Sequence, residues 1–490
     1  VLSSTGSMNL ALQGSLNNAQ GLLQTSGTLT ISAGTISNAA GQIVSTDNHG
    51  ETHIKVSGQI DNSHGVIATN ASNALIESTG FRNTNQGLVQ HAGVGTFKLQ
   101  TGVFDNTQGT LITNGDAALD VARLTNDSGK IASVGSLGLQ AQQDISSAQG
   151  SIQSGGALSL AANSLHNNFG FISSTATTGN TSLVVSGLID NSAGTIATNA
   201  ENLQINASSL TNGGLGQIQH AGTGTLSIRV DSLNNAQGSL ISNGNSVLNA
   251  NNLTNDDGVI FSAGNAGITV QGDVSNVHGL VQAKGNMLLS GTNLFNADGQ
   301  IASTSNQGET DVLLQGVFDN TGGRLASNNQ NLYIEAGSLI NGSQGLIQHA
   351  GNGSLSIETG HLSNVQGTLV SNGTAQLSAT DIANADGDIS VVGAVSLSLQ
   401  GDLGNTHGKI QSGDSLTVTG ANINNAGGQI TAIGTNGLSI HASGQVANAA
   451  GSTADEGVIS SNGDIAVQAD GLINSGSITT SHNLAVTITC

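Results

Sequence analysis

The sequence predicts an all-β solenoid, one chain wound as a parallel β-helix of about 22 coils. Three observations carry this expectation. The residues L-x-N-x-x-G-x-[IL] return every 20 to 24 positions, as at Leu16, Asn18, Gly21 and Leu23 and again at Ile36, Asn38, Gly41 and Ile43. Between them, apolar and polar residues alternate with the period of a strand. The 490 residues also include 70 Gly but no Pro. That suits a stack in which every strand is central and each missing N–H would break a pairing.

The glycines that close the motif set the period. Gly21, Gly41, Gly65, Gly87, Gly109, Gly129 and Gly150 are separated by 20, 24, 22, 22, 20 and 21 residues, 129 in all. The same order of steps recurs from Gly150 to Gly279 and from Gly279 to Gly408. The chain therefore reads as one continuous β-helix, 1–490, with six-coil units 22–150, 151–279 and 280–408 and a partial, degenerate stretch 409–490. After Gly428 the order falters: the next step is 23, to Gly451, and Asn448 to Gly457 departs from the earlier copies.

Each period contains three short runs, for example Gly21 to Thr25, Leu29 to Ser32 and Ile36 to Asn38, with small polar residues and Gly between them. Three strands per coil with no helical stretch describe a triangular turn, and coils stack at about 4.8 Å. Leu16, Leu23, Leu29 and Ile31 point inward, each worth about 1.5–3 kcal/mol on burial before conformational entropy is set against it. The Asn of each motif sits at a corner, bonding adjacent backbone and stacking on the same amide in the next coil. Its Gly either takes a positive φ or admits close approach of neighbouring backbone.

Composition excludes several function classes. Nine basic against 30 acidic residues give a net charge of −21, so no basic stripe offers itself to nucleic acid or an anionic membrane. No apolar run approaches the length of a membrane-spanning helix, and no signal peptide opens the chain. Aromatics make up 2 % of the residues, which argues against sugar-stacking platforms. Cys490, the last residue, is the single cysteine, so there is no internal disulfide framework.

Candidate sites are few. The 24-residue coils gain residues between their first two strands at Thr46–Thr52, Thr175–Thr181 and Thr304–Thr310. These loops are expected on one side of the stack about 29 Å apart, where they would serve as tolerated insertions or as ribs for a multivalent ligand. The following coil carries Gln-His-Ala-Gly, with His91, His220 and His349 equally separated, too far apart for one metal ion. A hydrogen-bonded or exposed corner is expected for these, and for His64, His278 and His407 before turn glycines. Asp61, Arg82 and Asp105 hold one position on successive coils and read as an ion ladder. The adjacent acids Asp256 with Asp257, and Asp455 with Glu456, are expected to be solvated. Asn70, Asn180, Asn206 and Asn372 stand in Asn-x-Ser/Thr triplets. Signatures for nucleophile elbows, phosphate loops, zinc helices and calcium repeats are missing. No catalytic, cofactor-binding or metal-binding residue is therefore assigned, no cofactor is expected, and the chain is read as a non-enzyme.

The extended grammar L-x-N-x-x-G-x-[IL]-x-[ST]-x-G-x-L-x-[LIV], as in Leu233 to Gly244 and Leu362 to Gly373, resembles the filamentous haemagglutinin repeats of two-partner secretion exoproteins. Nearly the whole chain carries it. That family includes large adhesins and contact-dependent growth inhibition effectors of Gram-negative bacteria. The family's Asn-Pro secretion motif and Val-Glu-Asn-Asn toxin boundary are both missing, so the segment resembles shaft alone, excised from something longer.

The resemblance implies a right-handed β-helix, here about 105 Å long at 4.8 Å per coil. It further implies a secreted chain on the outer surface of the cell, exported unfolded through an outer-membrane two-partner secretion transporter. The expected product is a monomeric filament that projects a binding or toxin module, without membrane insertion. The alternative is an adhesin binding a cell-surface receptor directly through the repeated loops.

Overall fold

The computed structural model describes residues 1–451 and 455–489, and Cys490 lies outside them. Every described element is a strand, turn or bend; none is a helix. Two compact units are delimited, Val1–Asn245 and Ser246–Cys490. Each is a parallel β-solenoid, and the division falls inside the sequence repeat 151–279. The first strand of a coil occurs 23 times among the described residues, close to the number expected.

The coil of the first unit from Leu22 shows the pattern. Its strands Leu22–Thr25, Leu29–Ala33 and Thr35–Ser37 pair in parallel with the same strands one coil on, Leu23 with Ile43, Ile31 with Ile54 and Ile36 with Ile60. Alternation then sorts the side chains: Leu23, Thr25, Leu29, Ile31, Ala33 and Ile36 are buried, while Gln24, Thr30 and Ser32 between them face out. Leu16, expected inward, is only half-buried in its coil near the chain start. The interior is too narrow for a second layer. It is filled by rows of one residue per coil, such as Ile43, Ile67, Val89 and Leu111. Larger groups meet their equivalents one coil away, as Phe81 meets Phe104 with ring centroids 5.4 Å apart.

Three strands per coil hold for most of the chain, with one variation. In Asn73–Arg82, Thr96–Asp105 and Asp116–Thr125 of the first unit, and in Asn331–Ile340, Ser354–Ser363 and Thr374–Ala383 of the second, the second and third strands run together. The bend survives: the pairing of Ser78 with Thr101 resumes at Gly80 with Val103, leaving Thr79 and Gly102 unpaired.

The corner asparagines form the expected stack. Asn38 Nδ2 donates to Asn62 Oδ1 of the next coil at 2.7 Å, to Gly41 O at 3.2 Å and to Val66 O at 3.1 Å, while its Oδ1 accepts from Asn18 Nδ2 at 2.7 Å. The same amide-to-amide bond links Asn62, Asn83, Asn106 and Asn126 in turn. In the second unit it runs from Asn255 to Asn474 without a break. The first unit has one fault, at Ser147, which accepts from Asn126 at 3.1 Å. A hydroxyl there cannot replace the amide's reach, and Asn167 Oδ1, one coil on, is buried without a partner.

The closing glycine serves the second of its two expected purposes. The left-handed backbone belongs to the residue before it, such as Gln20 (φ 55°), His64 (φ 56°), Phe169 (φ 53°) and Leu215 (φ 73°). That conformation costs a residue with a Cβ about 1–2 kcal/mol. The hydrogen bonds of the Asn corner, about 1 kcal/mol each, are enough in number to hold it. Glycine is needed next door because the preceding coil's Asn carbonyl occupies its Cβ position. A methyl on Gly41 would overlap Asn18 O, and one on Gly109 would overlap Asn83 O.

The same contact corrects the late part of the repeat. Gly457, not Gly451, closes the motif begun at Asn448, because a Cβ on Gly457 would lie 2.5 Å from Asn425 O of the preceding coil. The next first strand, Val458–Ser461, follows it directly. The preceding step is therefore 29 residues from Gly428 rather than 23, and Ala450 and Glu456 pair as an isolated bridge.

Gly109→Ala should destabilise the chain by about 1–3 kcal/mol, the range for forcing a group into a packed site. Gly138→Ala should be neutral, since the nearest atom to its added methyl is 3.9 Å away. Urea unfolding followed by circular dichroism compares the two, and equal midpoints would remove the close-approach argument.

Candidate functional site

The long coils place their extra residues where expected, between the first strand ending at Ser45, Ser174 or Ser303 and the second beginning at Glu51, Asn180 or Glu309. The last residue of each stretch is core, however. Thr52, Thr181 and Thr310 are buried and share a hydrogen bond with Thr69 at 2.6 Å, Thr198 at 2.7 Å and Ser327 at 2.8 Å of the next coil. The six residues before the buried threonine in each stretch are exposed or half-exposed.

His91, His220 and His349 are inside the solenoid, each about 1 % exposed. They occupy the position that holds Ser or Thr in other coils, where the hydroxyl spans a corner: Thr25 Oγ1 donates to Gly6 O and accepts from Gly27 N, and Ser133 Oγ donates to Gly115 O at 2.7 Å. The imidazole makes the same span over a wider corner. His91 Nε2 lies 2.9 Å from Ala71 O and Nδ1 2.8 Å from Thr113 Oγ1. A carbonyl only accepts, so Nε2 carries the proton and Nδ1 accepts from the threonine. His349 repeats this with Gln330 O and Ser371 Oγ, both at 2.9 Å, and His220 with Glu201 O at 2.9 Å and Ser242 Oγ at 3.0 Å. Both nitrogens of each ring are engaged, leaving no lone pair for a metal. Among the described residues no group of three or more His, Cys, Asp or Glu is placed to hold one.

The other sequence candidates disperse. Asp61, Arg82 and Asp105 are register partners on successive coils, but they form no ion ladder. Asp61 Oδ1 turns back to Ser63 N at 3.0 Å and Oγ at 2.6 Å, and Asp105 Oδ1 does the same with Thr107. A carboxylate committed to its own turn is not offered to Arg82. Asp256 accepts from Ser275 and Val277 N, while Asp257 stands at the corner 3.8 Å from His278. The two acids point to different partners. Asp455 and Glu456 are exposed. His64, His278 and His407 all sit at the left-handed corner position. Asn70, Asn180 and Asn372 are exposed and Asn206 is half-buried.

One cluster went unpredicted. On the outer face of the second strands, Glu77 Oε2 is 2.8 Å from His53 Nε2 and 3.4 Å from Lys55 Nζ. The hydrogen bond from His53, with Lys55 beside it, holds the Glu77 carboxyl below its usual range. The signal was present as the register of Lys55 opposite Glu77, but it appears only once a coil is aligned by strands rather than by closing glycines.

The buried histidines make stability pH-dependent. Burial pushes His91 and His349 below the usual 6.5. The unfolded chain therefore binds protons that the folded coils refuse, so stability is full above about pH 6.5 and falls as pH drops below it. Urea midpoints measured at about pH 7.5 and about pH 5 should show that loss, and a His91→Gln/His349→Gln double variant should show less of it. An undiminished loss in the variant would assign the titration elsewhere.

The model of the Haemagglutinin repeat family matches residues 4–64, 51–160, 139–197, 202–278, 262–322, 319–407, 405–450 and 441–489. No curated protein and no solved structure matches the chain. The matched segments tile the same coils that the asparagine corners and closing glycines define, and the chain belongs to the haemagglutinin-repeat family.

Proposed function

We propose that the chain is the extracellular shaft of a large secreted surface exoprotein, projecting a binding or toxin module away from a Gram-negative cell. The observation that carries this reading is the dispersal of chemistry. The unusual residues that repeat, His91, His220 and His349, are absorbed into buried corners, and what recurs faithfully is the frame itself. The family is one of structural and adhesin proteins, and no described helix is long and apolar enough to cross a membrane.

On this reading the function is reach. A stack stabilised by contacts between neighbouring coils gains length by whole repeats. Units of 129 residues let recombination change that length without shifting strand register. Export through a two-partner secretion transporter supports the same picture, because a chain whose contacts are almost all between adjacent coils can fold as it emerges.

The test separates length from surface. In the parent exoprotein, deleting residues 280–408 should reduce adhesion or toxin delivery, and inserting a second copy of 151–279 in their place should restore it. That copy has the same length but different loops and outward residues. Activity that stays lost after the replacement would show that the residues matter rather than the reach, favouring direct binding through the repeated loops.

A further inference from the structure

In the first unit, an open trough of about 660 Å³ runs along the bend between second and third strands, from Leu12 in one coil to Gln142 several coils on. Its floor is Ala33, Val56 and Val121 with Ser78 and Thr101 between them, the two hydroxyls bonded to each other at 2.8 Å. One wall is a single register row: Ser32, Lys55, Glu77, Gln100 and Asp120 are successive partners across paired strands. The row presents one polar group about every 4.8 Å. Lys55 and Glu77 satisfy each other. Gln100, Asp120 and Gln142 line it, are exposed, and have side chains without a hydrogen-bond partner among the described residues.

We propose that this trough binds a linear, neutral polysaccharide lying along the solenoid axis, so that the shaft itself carries a ligand site beyond its role in reach. Four features define the ligand. The trough is open along its length and lined at a constant interval, which fits a polymer rather than a compact molecule. Its free groups are carboxamides and a carboxylate, which exchange hydrogen bonds with the hydroxyls of a sugar. The charged groups along it are Lys55, Glu77 and Asp120, with no basic excess, and the chain as a whole carries −21, so a polyanion gains nothing there. An extended peptide would seek a free strand edge, whereas the strands around the trough have both edges paired.

The row belongs to the first copy of the repeat. The same ranks hold Val184, Asn206, Arg229 and Asn249 in the second copy and Leu313, Glu335, Glu358 and Ser378 in the third. In the third copy Glu335 and Glu358 face each other across paired strands. Burial and these two carboxylates push the neighbouring Tyr333 up to about 12. That surface is anionic and has lost the carboxamide. No aromatic side chain lines the trough, so recognition rests on hydrogen bonds and on several sugar units held at once.

The test uses the purified chain on an array of neutral linear α- and β-linked oligosaccharides, with polygalacturonate and heparin fragments as anionic probes. Binding to at least one neutral series, increasing with oligosaccharide length, is expected. Gln100→Ala/Asp120→Ala should weaken it about tenfold, as for two hydrogen bonds of modest strength. Ser378→Ala/Ser398→Ala, at the ranks of Asp120 and Gln140 in the third copy, should leave it unchanged. All four positions are exposed, and unchanged urea midpoints verify the fold of both variants. Absence of neutral binding, equal binding of the anionic probes, or full binding by the Gln100/Asp120 variant would each overturn the proposal. Because the trough lies outside residues 280–408, its failure leaves the replacement test of reach intact.

Discussion

The structure depends on a buried amide that its own coil cannot satisfy. A corner asparagine brings two N–H donors and a carbonyl into the interior, and an orphaned polar group there costs about 1–3 kcal/mol. Its own turn glycine offers one carbonyl acceptor; the amide partners lie one coil away on either side. Asn106, for example, accepts from Asn83 and donates to Asn126, each at 2.7 Å. Every coil is thus incomplete alone. A slip of one residue would break the amide row, the glycine approach and the inward apolar rows together, so these three fix the register jointly.

That constraint explains where variation is allowed. Residues within the frame are held by contacts on both sides, and the changes that survive are those that preserve the span. Imidazole replaces hydroxyl at His91, His220 and His349 because the widened corner needs a longer bridge between the same kinds of partner. Added chain length is confined to corners, as at Thr46–Thr52 and around Ala450. Outward positions are free, and there the copies diverge, from Lys55 to Val184 to Leu313 at one rank. A frame of this kind disperses chemistry along its length, whereas a groove crossing many coils brings several polar groups into line.

Much of the fold was legible because its signals repeat. Period, strand count, inward residues and the role of Asn all followed from the motif, since each is imposed anew in every coil. Less legible were features that depend on three-dimensional neighbours. Whether Gly41 supplied a positive φ or a missing Cβ could not be read from Gly41, because the answer lies in Asn18 O of the coil below. The Asp61, Arg82 and Asp105 positions were placed correctly, but the carboxylates had nearer donors in their own turns. The histidines stand at hydrogen-bonded corners, the first of the two alternatives expected of them, and their burial was also readable. Aligning Leu-Val-Gln-His-Ala-Gly at Leu88 with Leu-Leu-Gln-Thr-Ser-Gly at Leu22 sets His91 on Thr25, an inward position. Gly451 lies near the usual spacing from Gly428, so spacing alone does not separate it from Gly457.

The fault at Ser147 tests the central claim most directly, because the chain supplies its own reference: the equivalent positions hold Asn276 and Asn405, both within unbroken rows. Restoring the amide with Ser147→Asn gives Asn167 Oδ1 its missing donor. The measurement is the urea unfolding midpoint of that variant beside the parent chain. A stabilisation of about 1–2 kcal/mol is the expected result, the worth of completing a buried hydrogen-bond chain. An unchanged or lower midpoint would contradict the view that the amide row holds the solenoid together.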